Sequence, residues 1–128
     1  MVQQITKGIK VSVETKYDGT MERNSLLHHV FSYFITIENK SNETVQLTNR
    51  FWVIFDSLNN TEIVEGEGVV GQTPVLEPGD NYTYKSGCIL ESNIGAMKGF
   101  FRMLNLATNK DFRVTIPTFQ LTTKPLSN

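Results

Sequence analysis

Apolar and polar residues alternate along most of this chain. Ile9, Val11, Val13, Thr15 and Tyr17 take every second position, as do Phe31, Tyr33, Ile35 and Ile37. Successive side chains of an extended strand point to opposite faces, so each set builds one apolar face. Tyr82-Thr83-Tyr84 and Phe112-Arg113-Val114-Thr115-Ile116 repeat the rhythm. Turn signals separate the runs: Asp18-Gly19, Asn39-Lys40-Ser41-Asn42, Ser57-Leu58-Asn59-Asn60, Pro78-Gly79-Asp80 and Thr108-Asn109-Lys110-Asp111. No window longer than about ten residues carries helical apolar spacing with a cap. The pattern predicts strands over 8–17, 29–39, 44–56, 61–66, 80–87, 98–107 and 111–121. About seven strands at regular turn spacing make an all-β, antiparallel sandwich.

Phe51-Trp52-Val53-Ile54-Phe55 is apolar on both faces. It should be a central strand, covered by the opposing sheet on one side and by a loop or edge on the other, with Trp52 as core anchor. No repeat or linker divides the chain, so residues 1–128 read as one domain with a core over roughly 8–122. The first few residues and those from Lys124 onward read as loose ends.

A single domain of 128 residues should bury ~65–70% of its unfolded-chain surface, enough for a core without disulfide or metal. Cys88 is the sole cysteine, which excludes an intrachain disulfide and fits a reducing cytosol. The N-terminus lacks an apolar signal core, and no stretch reaches transmembrane length. A cytoplasmic protein without membrane contact is the expectation. Net charge is −1 with both signs interspersed, so no basic stripe marks a nucleic-acid binder.

Val64-Glu65-Gly66-Glu67-Gly68-Val69-Val70-Gly71-Gln72-Thr73-Pro74 contains Gly-x-Gly-x-x-Gly. A dinucleotide clamp needs a helix to open at those glycines. Pro74 and Pro78 follow, and Val69, Val70 and Val75 favour extended backbone, so that reading fails. Two remain. Backbone amides of Gly66, Gly68, Gly71 and Gln72 could form a nest for a phosphate-containing small molecule. Alternatively, the glycines permit a bulge, positive φ or close backbone approach. Electrostatics favours the structural reading, because Glu62, Glu65, Glu67 and Glu77 surround the loop in sequence. Each exposed carboxylate ~8 Å from a phosphate would cost about 0.5 kcal/mol in water. Several would offset one or two charge-assisted hydrogen bonds worth ~1.5–3 kcal/mol each.

From Val30 to Leu121 the chain resembles the ApaG-domain family. The resemblance runs through Phe34-Ile35-Thr36-Ile37-Glu38-Asn39, then Val45-Gln46-Leu47 with Arg50 and Trp52. It continues through the glycine segment with Pro74, Leu76, Pro78 and Gly79, then Tyr84-Lys85-Ser86-Gly87, Gly95-Ala96-Met97-Lys98-Gly99-Phe100 and residues 112–119. It implies an immunoglobulin-like, fibronectin type III-like sandwich without assigned enzymatic activity. Stand-alone bacterial members are associated with cobalt and magnesium tolerance, and eukaryotic ones look like interaction modules. Many members carry His after the Arg of an Arg-His-Trp segment, where this chain has Phe51.

Catalytic and metal chemistry find little footing. His28 and His29 are neighbours and would point to opposite faces of a strand. Cys88 reads as a buried structural thiol, and paired strand-edge carboxylates such as Glu65 and Glu67 read as edge protection. No catalytic residue, metal ligand or cofactor is expected. Eight Phe, four Tyr and one Trp exceed what the alternating positions and Trp52 require. Phe34 falls opposite the Phe31, Tyr33, Ile35 face, and Phe100 opposite Phe101. Either they anchor a protein partner, or the long segment around Gly66–Pro78 covers them, and the residues favour neither. The leading expectation is a non-enzymatic protein-binding module. The alternative is a sensor of pyrophosphate or a nucleotide at the glycine segment.

Overall fold

The computed structural model describes residues 1–124; residues 125–128 of the expected loose C-terminal end lie outside the described residues. Nine strands follow one another: β1 (Val2–Thr6), β2 (Ile9–Arg23), β3 (Leu26–Asn39), β4 (Val45–Asp56), β5 (Glu62–Glu67), β6 (Val75–Leu76), β7 (Asn81–Leu90), β8 (Ile94–Asn105) and β9 (Lys110–Thr122). One sheet has the order β1-β2-β3-β7. The other runs β5-β4-β8-β9, with β6 also pairing β4. All pairs are antiparallel, and the two sheets face each other as an immunoglobulin-like sandwich.

The alternating positions become the core. Ile9, Val11 and Val13 of β2 and Phe31, Tyr33, Ile35 and Ile37 of β3 are buried. They meet Trp52, Met97, Phe101, Ile116 and Phe119 from the second sheet. Trp52 stands edge-on to Tyr33 at 5.5 Å and to Phe119 at 5.8 Å. Each such aromatic pair contributes ~0.5–1.5 kcal/mol beyond area burial. The central position of β4 and the anchoring role of Trp52 both hold.

Four expectations need correction. The N-terminal residues are not loose: β1 pairs with β2 from Val2↔Val13 to Thr6↔Ile9 and lies along β9, where the Thr115 amide donates to Thr6 Oγ1 at 3.2 Å. Its burial shows no alternation, so backbone pairing rather than an apolar face holds it. Asp18-Gly19 is a bulge between Tyr17 and Gly19 within one long strand, not a turn. Gly19 takes φ 105°, and Asp18 accepts a hydrogen bond from the Ser32 hydroxyl. The turn lies at Asn24-Ser25, both with positive φ. Among the described residues nine strands replace about seven, the additions being β1 and the two-residue β6, which is too short to show a period. Finally, the outer face of β4 stays open: Phe55 is exposed, and Phe51 and Val53 are only half-buried.

Two polar residues tie the ends of strands. Asn39 is fully buried, and its Nδ2 donates to the carbonyls of Glu43 at 2.8 Å and Leu76 at 2.9 Å. Its Oδ1 accepts from the Ser41 amide and hydroxyl, so no buried side-chain capacity is wasted. Asp56 ends β4 and accepts from the amides of Glu91 at 2.8 Å, Ser92 at 3.2 Å and Leu58 at 3.2 Å. Burial pushes the Asp56 pKa up, but the Ser92 side chain and these amides outweigh it and hold the carboxyl below its usual value. The carboxylate is therefore worth most to the fold above the unfolded-state value of about 3.9. Its contribution disappears as pH falls through the lower folded value. Asp56→Ala should lower the melting temperature at pH 7, with the gap to the parent closing as pH drops below about 4; a pH-independent gap in thermal unfolding would rule this account out.

Candidate functional site

β4, β5 and the loop after it carry the distinctive chemistry of the chain. Arg50 sits opposite Gly66 and Phe101 in the register of β4, on the strand face that turns inward. Its guanidinium lies against Gly66, where a Cβ would come within 3.0 Å of both terminal nitrogens. Nη1 donates to the carbonyls of Glu67 and Gly68, each at 3.0 Å. A half-buried cation thus clamps the end of β5, and Gly66 makes the space for it.

The loop beyond is a tight hairpin. Val69 and Gln72 exchange amide-to-carbonyl hydrogen bonds at 2.8 and 2.9 Å, and the two residues between, Val70 and Gly71, take φ 47° and 76°. Positive φ at both centres is what a type I′ turn requires. Gly68 takes φ 65°, its amide donates to the Thr48 carbonyl at 2.8 Å, and a Cβ there would run into the Gln72 carbonyl. The amides of Gly68 and Gln72, two of the proposed phosphate donors, are therefore engaged within the chain. Gly66 packs on Arg50, and Gly71 faces open space. Val70 is the unusual member: a β-branched residue at positive φ carries ~1–3 kcal/mol of strain and leaves its side chain 62% exposed.

The two sheets close differently at their two sides. β1 and β9 come together on one side. On the other, β5 with its loop and β7 face each other across a cleft of about 690 Å³. Its walls include Val30, Tyr33, Trp52, Val64, Val69, Tyr84 and Cys88, with Arg50 beside them. Tyr84 is 9% exposed, and its buried hydroxyl has no hydrogen-bond partner among the described residues. Burial raises the pKa values of Tyr33 and Tyr84, with the Arg50 charge opposing. Burial, then the charges of Glu62 and Asp56, pushes the Cys88 thiol up to about 11. At neutral pH Cys88 is a protonated thiol and a poor nucleophile.

The outer face of the second sheet is a separate surface. Phe51 and Phe100 are cross-strand neighbours and stack at 4.9 Å with a 16° interplanar angle. The Arg113 guanidinium lies 4.4 Å from the centre of the Phe100 ring. Lys98 sits 5.6 Å from the Phe55 ring. A groove of about 290 Å³ beside the stack is lined by Asn49, Arg50, Phe51, Glu65, Gly66, Glu67, Phe100 and Arg102. Phe34 lies elsewhere, opposite Lys85 and Glu14 in the register of the first sheet, with Lys85 Nζ 5.7 Å from its ring. The fold does not bring the two candidate interface residues together. Of the two histidines, His29 Nδ1 meets the Tyr17 hydroxyl at 3.0 Å, and His28 Nδ1 meets the Leu26 carbonyl at 3.1 Å.

Sequence reasoning missed Phe51 as the partner of Phe100, and Tyr84 as an orphaned donor. The first was legible in principle, because the apolar run at 51–55 places Phe51 on the face opposite Trp52. The second depends on which groups surround a buried ring and left no signal in the pattern.

The ApaG domain family matches residues 19–105. Protein ApaG of Brucella canis is 41% identical over 121 residues, covering 94% of this chain and 92% of the relative. Protein ApaG of Vibrio vulnificus is 42% identical over 120 residues, covering 94% of each chain. An X-ray structure from the Northeast Structural Genomics Consortium superposes with a TM-score of 0.87 at 35% identity, covering 94% of this chain and 90% of that one. The chain belongs to the ApaG-domain family.

Gly68→Ala should destabilise the domain by about 2 kcal/mol or more, from positive φ and the carbonyl clash together. Gly71→Ala, with open space, should cost only about 1 kcal/mol. Urea unfolding of both variants checks this, and equal losses would contradict it. Tyr84→Phe should leave stability unchanged or raise it by about 1 kcal/mol, because it deletes a buried hydroxyl that lacks a partner. A clear loss in the same assay would mean that the hydroxyl is satisfied.

Proposed function

We propose that this ApaG-family chain is a non-enzymatic binding module that takes a cytoplasmic protein partner on the outer face of its second sheet. The observation that carries this reading is the Phe51–Phe100 stack capped by Arg113. Binding hot spots favour aromatic and arginine side chains, because both contribute large contact area and directed interactions with few torsions to freeze. Phe55 and Ile63, 37% and 61% exposed, extend the apolar strip across β4 and β5.

The charges around the stack describe the partner. Lys98, Arg102 and Arg113 are exposed on β8 and β9, while Glu65 and Glu67 lie on β5 at the edge of the sheet. An apolar side chain of the partner would rest on the Phe51–Phe100 rings, with carboxylates beside it facing β8 and β9. The buried, protonated Cys88 suits a reducing compartment. The departure at Phe51 belongs to this reading, since the aromatic replacement of a histidine is one half of the stack. Phe34, on the other sheet, is not part of the surface.

A photoreactive amino acid placed at position 98 should crosslink one acidic partner in cells, and the same group at position 34 should not. With that partner purified, Phe100→Ala should weaken binding at least tenfold, or about 1.4 kcal/mol, and added salt should weaken it further. The variant itself should lose only about 1 kcal/mol of stability, since the ring is half-buried. Equal crosslinking from both sites, or unchanged affinity in Phe100→Ala, would refute the proposal.

A further inference from the structure

We propose that the cleft between β5 and β7 is a binding site for an apolar small molecule bearing a single carboxylate, such as a medium-chain or arylalkyl acid. This goes beyond the protein-binding reading and involves the opposite face of β4. Three independent observations define the ligand.

The first is shape. Ligand sites for small molecules run to ~300–1,000 Å³ and are mostly apolar with a few placed polar groups. The cleft holds about 690 Å³, and Trp52, Val64, Val69 and Tyr33 contribute apolar wall. Its presence follows from topology, because the β1–β9 side is zipped whereas the β5–β7 side has no strand to fill it.

The second is an unmet hydrogen bond. Tyr84 is 9% exposed and its hydroxyl lacks a partner among the described residues. Buried donors in native proteins are satisfied in the great majority of cases, and the exceptions point to a missing group. A hydroxyl that stays protonated at neutral pH, as burial ensures here, donates to an acceptor oxygen.

The third is charge. Among the charged residues lining the cleft, Arg23, Arg50 and Lys85 are cationic and Glu62 alone is acidic. Arg50 lines the same cleft as Tyr33 and Tyr84, and its charge opposes the rise in both their pKa values. Only its Nη1 is committed to the carbonyls of Glu67 and Gly68, which leaves other guanidinium donors for an anion. The hydroxyl is enclosed in the cleft wall, so a carboxylate held by Arg50 would reach it only once the Tyr84 ring turns toward the cavity, with the apolar tail along Trp52 and Val64.

Two built-in probes report on occupancy. Trp52 is the sole tryptophan and Cys88 the sole cysteine, and both line the cleft. Titration with decanoate below its micellar concentration should give a saturable change in Trp52 fluorescence and slow the alkylation of Cys88 at least fivefold. Decanol, which keeps the tail and lacks the anion, should bind at least tenfold more weakly. Tyr84→Phe should weaken decanoate tenfold without lowering the melting temperature. Phe100→Ala should bind decanoate like the parent, so this test stands or falls separately from the protein-partner reading. Absence of a saturable change with decanoate, equal binding of decanol, or parental affinity in Tyr84→Phe would each overturn the assignment.

Discussion

The guanidinium of Arg50 lying across Gly66 is the contact on which the distinctive half of this sandwich depends. A long cation on an inward-facing position of a central strand would ordinarily be expelled toward water. Here it is retained because β5 offers it a residue without a side chain and two carbonyls from the chain that follows. The consequence is a two-way constraint. The cation fixes where β5 ends, and the glycine at that end decides where the cation rests. The hairpin of Val69 to Gln72 is then built outward from a fixed point, which is how a β-branched residue comes to be held at positive φ.

That clamp also explains why a glycine-rich motif can look like a phosphate loop and be organised for something else. A nest needs consecutive amides left unbonded and aimed at one point. In this loop Gly68 donates to Thr48, and Val69 and Gln72 donate to each other. The positive charge that a phosphate would seek, Arg50, is instead committed to the carbonyls of Glu67 and Gly68. The acidic residues Glu65 and Glu67 alternate with Gly66 on the outer side, which is the ordinary consequence of a period of two in a strand.

Strand positions, the buried face of each, and the anchor at Trp52 were legible because they rest on a period, and a period survives in a linear sequence. The backbone-driven features were not. β1 joins its sheet through main-chain hydrogen bonds with hardly any apolar signature, and the Asp18-Gly19 bulge carries turn residues for a different purpose. For the candidate surfaces the division is similar. Phe100 could be placed on an outer face by counting from Phe101. Its stacking on Phe51 needed the register between β4 and β8, which the bulge near Leu47 and Asn49 shifts. The separation of Phe34 from Phe100 needed the assignment of strands to sheets, which alternation does not contain. Tyr84 is the clearest limit: its ring was expected in a strand, but the solitude of its hydroxyl is a property of every neighbour it does not have.

The electrostatics of the cleft keeps its two tyrosines and its thiol protonated. Nucleophilic chemistry needs a group poised to lose a proton near neutral pH. Burial does the reverse to each candidate here. It raises Tyr33 and Tyr84 and carries Cys88 to about 11. Those three groups therefore stay neutral donors, while Arg50 beside them supplies a positive field. A neutral donor next to a permanent cation in an apolar wall discriminates between an anion and its uncharged analogue without altering either. The carbonyls of Glu67 and Gly68 hold that cation in place beside the cleft.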